Sequence, residues 1–146
     1  IHIEEFFLDC CRTLDTLYRV FPKKATVFVE DITGPDQPDE YGVHSDRFRS
    51  CFGALIWLAE EGYIHYESTI RQEAIDQACL TSKGLHMISC TGQDDYLITI
   101  TDSIHPRLSG LQGKPKIETL KHILKHGTSS QHSLAMRHLL MKDKQS

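Results

Sequence analysis

The sequence predicts an α+β domain: a helical core carrying a small antiparallel β-hairpin, followed by a C-terminal helical extension. Three observations predict it. Apolar residues recur at spacings of three and four along residues 3–21 and again along 45–61; the second run stops at Gly62 and passes directly into Tyr63-Ile64-His65-Tyr66; and a further strand-like run, Ile75 to Thr81, leads into a short helix over 82–89. Helix, hairpin and short helix in that order over Ser45–Ile88 make a winged helix-turn-helix. At 146 residues the chain suits one such domain over 1–92, with an extension over 93–146.

Each element has a local cause. In the first helix Ile3, Phe6, Phe7, Cys10, Leu14, Leu17 and Phe21 share a face, and Pro22 ends it because the residue before a proline is pushed out of the α region. Ala25-Thr-Val-Phe-Val29 is β-branched and aromatic, as a short strand requires. Residues 31–43 hold Gly34, Pro35 and Pro38 with Asp31, Asp36, Asp39 and Glu40, the chemistry of an exposed acidic loop. Ser45 or Asp46 can cap the next helix, whose inward positions are Phe48, Cys51, Phe52, Leu55, Leu58 and Ala59, and Gly62 can close it in the left-handed conformation. The polar stretch Glu67–Ala74 is expected to be an open hairpin loop, the wing, and Thr81 or Ser82 then caps the helix carrying Leu85 and Ile88. In the extension, Tyr96-Leu-Ile-Thr-Ile100 reads as strand-like. Helices are expected over Lys116–His126 and Ser130–Met141, separated by Gly127 as a helical hairpin.

Composition narrows the function classes. No run of about 18 apolar residues exists, and Glu4 and Glu5 stand where a signal peptide would need positive charge, so a cytoplasmic location is expected. Cys10, Cys11, Cys51, Cys79 and Cys90 form no C-x-x-C pair and signal neither zinc nor a disulfide framework; Cys10 and Cys51 fall on apolar faces, which favours packing over a redox role. His122 and His126 share a helix face, but no carboxylate or cysteine joins them and Lys121 and Lys125 would repel a cation, so no metal and no cofactor is expected. An enzyme lacks support: there is no Gly-rich phosphate loop and no nucleophile elbow. Charge is unevenly spread. Residues 1–106 hold 8 Lys/Arg against 18 Asp/Glu, or −10, whereas 107–146 hold 8 against 2, or +6. The basic tail can pack on the acidic body, form a subunit interface or contact a polyanion.

The string Gly53-Ala-Leu-Ile-Trp-Leu-Ala-Glu-Glu-Gly-Tyr-Ile64, followed by polar residues and Ala78-Cys-Leu-Thr-Ser-Lys-Gly-Leu85, resembles the winged-helix domains of MarR-like and PadR-like bacterial regulators. The resemblance implies a recognition helix over 45–61 whose start faces the major groove through His44, Ser45, Arg47, Arg49 and Ser50. It also implies wing contacts from Ser68, Thr69, Arg71 and Gln72, with Arg71 suited to a phosphate or the minor groove. Terminal helices pair the subunits in such dimers, so a homodimer on double-stranded DNA is implied as well.

Two features depart from that pattern. The helix expected before the recognition helix maps onto Gly34–Gly42, a poor helix former, and the recognition helix and wing carry net charges of −1 and −2. Two functions therefore stand: a dimeric winged-helix DNA-binding regulator, or a non-enzymatic protein-interaction module using the same scaffold and its acidic face.

Overall fold

The computed structural model describes residues 2–89, 95–104 and 123–145. They form a mixed α+β fold with six helices and a four-stranded antiparallel sheet among the described residues. The chain divides into two compact units, residues 12–84 and residues 1–11 with 85–146. Helix α1 (His2–Val20) contributes to both, burying Phe7, Cys10, Cys11, Leu14 and Leu17 at helical spacing. Among the described residues no helix is long and apolar enough to cross a membrane.

In the 12–84 unit, β1 (Ala25–Phe28) runs into the short helix α2 (Val29–Thr33), and residues 34–45 lead without further helix to α3 (Asp46–Glu60). Three strands follow: β2 (Ile64–His65), β3 (Ser68–Ile70) and β4 (Ala74–Leu80). Strand β4 is central. It pairs on one side with β1, through Ala25↔Ala78 and Phe28↔Ala74, and on the other with β2 and β3, through Ile64↔Leu80 and Thr69↔Ile75. Its Ala74, Ile75, Ala78 and Leu80 are buried with Val27, Ile64, and Leu55 and Leu58 of α3. Opposite Thr26, β4 carries one extra residue at Gln77, whose backbone is left-handed; the Thr26 hydroxyl donates to Asp76 there, at 2.7 Å.

The stretch 67–74 is tighter than the open loop expected from its polarity. Strand β3 takes up Ser68–Ile70, leaving Arg71-Gln72-Glu73 between the strands, with Arg71 and Gln72 the two central residues of a turn closed by the Glu73 N–H donating to the Ile70 carbonyl at 2.7 Å. Both turn residues have positive φ, 51° and 58°. Two left-handed residues give a turn whose twist matches the flanking strands, which polarity alone does not reveal.

A closed joint links the end of α3 to helix α4 (Ser82–Ser89). Gly62, at φ 86°, lets the Tyr63 N–H reach back to the Leu58 carbonyl at 2.9 Å and its own N–H reach Ala59, which ends α3. The Thr81 hydroxyl donates to the Gly62 carbonyl and accepts from the Gly84 N–H, capping α4. Lys83 donates to the Glu61 carbonyl at 3.0 Å and lies over the Tyr63 ring. Gly84 has no room for a side chain: a Cβ there would stand 2.1 Å from the Tyr63 carbonyl oxygen.

In the other unit, α5 (Asp95–Ile104), a helical turn over 123–126 and α6 (Ser129–Gln145) bury Leu97, Ile100, Ile123, Met136, Leu139 and Leu140 with Phe7, Met87 and Ile88. The expected strand-like run Tyr96–Ile100 is therefore helical. Its β-branched composition yields to packing, because Leu97 and Ile100 sit three apart and both turn inward. The Ser130–Met141 helix lies within α6, and Thr128 starts it reciprocally: its hydroxyl accepts from the Gln131 N–H while the Gln131 side chain accepts from the Thr128 N–H. Of the helix expected over Lys116–His126 only 123–126 falls within the described residues, and His122 and Cys90 lie outside them.

Candidate nucleic-acid interface

The start of α3 is held by the acidic loop before it. Ser45 is the N-cap, its hydroxyl accepting from the Phe48 N–H at 3.2 Å. That hydroxyl also donates to Asp36 Oδ1 at 2.7 Å, while Asp36 Oδ2 accepts from the Ser45 N–H at 3.0 Å and lies 2.9 Å from His44 Nδ1. The Asp36 carboxyl is consequently held below its ordinary value, first by the Ser45 hydroxyl, then by the Ser45 N–H and by His44. An internal carboxylate thus occupies the electropositive end of the helix.

His44 joins this group to the hairpin. Its ring stacks on Phe48 with centroids 3.9 Å apart, and Nε2 stands 3.5 Å from Glu73 Oε1, one residue beyond the turn. The loop, the first turn of α3 and the hairpin tip therefore surround one cleft of about 310 Å3, lined by Gly42, Val43, His44, Phe48, Arg49, Arg71, Gln72 and Glu73. Arg49, from α3, and Arg71, from the hairpin tip, both line it. Arg49 pairs with Asp46 on its own helix, whereas Arg71 has no ion-pair partner among the described residues.

The nine residues expected at a DNA interface divide accordingly. His44, Arg49, Arg71 and Gln72 line the cleft; Ser45 borders it, and its hydroxyl is committed to the helix cap and Asp36. Ser50 on α3 and Ser68 and Thr69 on β3 are exposed but do not line the cleft, and Arg47 is half-buried. Sequence reasoning missed Asp36 and Glu73. Asp36 carried a signal only as one acid among four in the loop; its reach to Ser45, nine residues on, depends on how the loop folds back.

The electrostatics are balanced rather than basic. Two arginines face the cleft with Glu73, and Asp36 and Asp46 stand at the same helix end. The strain is local: a left-handed backbone costs an L-residue about 1–2 kcal/mol, and this turn spends it on Arg71 and Gln72 where Asn-Gly would be cheaper. Among the described residues no cluster of three or more His, Cys, Asp and Glu side chains could hold a metal ion. No protein-family model, curated protein or solved structure matched the chain.

Proposed function

We propose that the protein is a non-enzymatic winged-helix DNA-binding protein, a cytoplasmic transcriptional or similar regulator that acts as a homodimer on double-stranded DNA. The observation carrying this reading is the cleft lined by both Arg49, from the first turn of α3, and Arg71, from the hairpin tip. A helix start and a wing tip that share a concave face can meet a groove and the phosphates beside it together. The strained turn adds support. Two left-handed non-glycine residues at an exposed tip are expensive for the fold, and the two side chains they carry are an arginine and a glutamine, both able to contact nucleic acid. The element order supports the winged-helix reading, since β1 completes a sheet with the hairpin that follows α3.

Because few cations face the cleft, affinity rests on few phosphates. With two contacts, log K should fall against log salt with a slope of about −2. The test is binding of labelled duplexes of mixed sequence at low salt, compared with Arg49→Glu/Arg71→Glu. The wild type should bind and the double variant should lose binding while keeping its helicity and melting temperature. A wild type that binds no duplex ends the reading.

One observation favours the second reading, a protein-interaction module. The acidic loop is organised rather than merely solvated, and it presents Tyr41 with 83% of its surface exposed.

A further inference from the structure

The unit containing α5 and α6 has a groove of about 420 Å3 lined by Tyr96, Leu134, Arg137, His138, Met141 and Lys142. Leu134, Arg137, His138 and Met141 recur at offsets of three, four and seven, so they share one face of α6. The Tyr96 ring stacks on the His138 imidazole, centroids 4.6 Å apart, and three large apolar side chains stay substantially exposed: Tyr96 at 42%, Leu134 at 44% and Met141 at 41%. Arg137 and Lys142 add positive charge, and residues 123–142 contain no Asp or Glu. An apolar floor with a cationic rim fits an acidic segment that presents a large apolar side chain.

The chain carries such a segment, Pro38-Asp39-Glu40-Tyr41-Gly42-Val43. Asp39 closes it into a turn. One carboxylate oxygen accepts from the N–H groups of Tyr41 and Val43 at 2.8 and 2.9 Å, the Asp39 carbonyl accepts from the Gly42 N–H at 2.9 Å, and Gly42 takes the left-handed backbone the turn needs, at φ 79°. Tyr41 is the most exposed of the large hydrophobic side chains described, and Val43 beside it is also exposed. A turn already ordered loses little conformational freedom on docking.

We propose that the groove receives the acidic turn 38–43 of a second copy of this chain, with the Tyr41 ring entering between Tyr96 and the Leu134 and Met141 side chains and Glu40 meeting Arg137. The proposal specifies the homodimer of the reading above and rests on that dimer; it does not require DNA binding.

Sedimentation equilibrium of the full chain, without nucleic acid, tests it. The wild type should self-associate, more weakly as salt rises. Tyr41→Ala should weaken association at least about tenfold, as one anchoring aromatic can. Glu40→Lys, Arg137→Glu and Lys142→Glu should each weaken it, and the double variant Glu40→Lys/Arg137→Glu should regain most of the loss. The Glu40 side chain is outside the hydrogen bonds that close the turn, and Lys142→Glu provides a check on Arg137, which also lies over the Phe7 ring. Three results would overturn the proposal: a monomeric wild type, association that Tyr41→Ala and the groove variants leave unchanged, or no recovery in the double variant. The second of these places the subunit contact on another surface. Loss of duplex binding in wild type with the sedimentation results as expected overturns the DNA reading alone.

Discussion

At its C-terminal end α3 runs into a joint whose groups answer one another within the chain: Gly62 turns, Lys83 takes the Glu61 carbonyl, Thr81 bonds to both Gly62 and Gly84, and Gly84 makes room for the Tyr63 carbonyl. At its N-terminal end the same helix opens on a cleft of charged side chains, flanked by a turn with two left-handed L-residues. The first end is closed by contacts within the chain. At the second the chain tolerates strain and leaves Arg71 without an ion-pair partner among the described residues. A helix capped at both ends but flanked at its start by a strained turn is the arrangement expected where that turn meets something outside the chain.

The contrast breaks most directly at the joint. Gly84→Ala drives a methyl group into a backbone oxygen and should lower the unfolding free energy by about 3 kcal/mol, measured by denaturant titration. An alanine accepted there without cost would remove the claim that the joint is sterically closed. At the other end the sign should reverse. Arg71→Asn/Gln72→Gly relieves the left-handed residues and should raise stability by about 1–2 kcal/mol while lowering the salt slope of duplex binding by about one. A variant both more stable and equally good at binding would show that the turn's sequence serves no interface.

The smallest effects belong to the loop that holds the start of α3. Ser45→Ala removes the N-cap and should cost about 1 kcal/mol. Asp36 gives the pH signature. Since folding lowers its pKa, its contribution is fully present above the ordinary aspartate value of about 3.9 and is lost as pH falls through the lower folded value. The wild type should therefore lose stability in that acid window more steeply than Asp36→Asn. Equal slopes in denaturation series run across that window would detach Asp36 from the helix start.

Part of the joint was legible in the sequence and much of the cleft was not. Gly62 and Thr81 announce themselves by residue type and spacing, because caps and left-handed turns are set locally, whereas Lys83 reaching the Glu61 carbonyl and Gly84 meeting the Tyr63 carbonyl do not. The bounds of α3 and α4 followed from the same signals. Asp36 meeting Ser45, Glu73 meeting His44, and β1 pairing with β4 through Ala25 and Ala78 are closures over distance, which periodicity does not encode. Tyr96–Ile100 failed differently. Tyr-Leu-Ile-Thr-Ile is strand-like in composition, and only the inward positions Leu97 and Ile100 carried the helical period that prevailed.

Under the proposed DNA-binding reading, Asp36 would have a further consequence. A carboxylate already seated at the helix start repels phosphate of every sequence alike, so it weakens attachment to unrelated duplex without touching discrimination among base pairs. Such a protein spends less time captured by the bulk of a genome and more of it free to search.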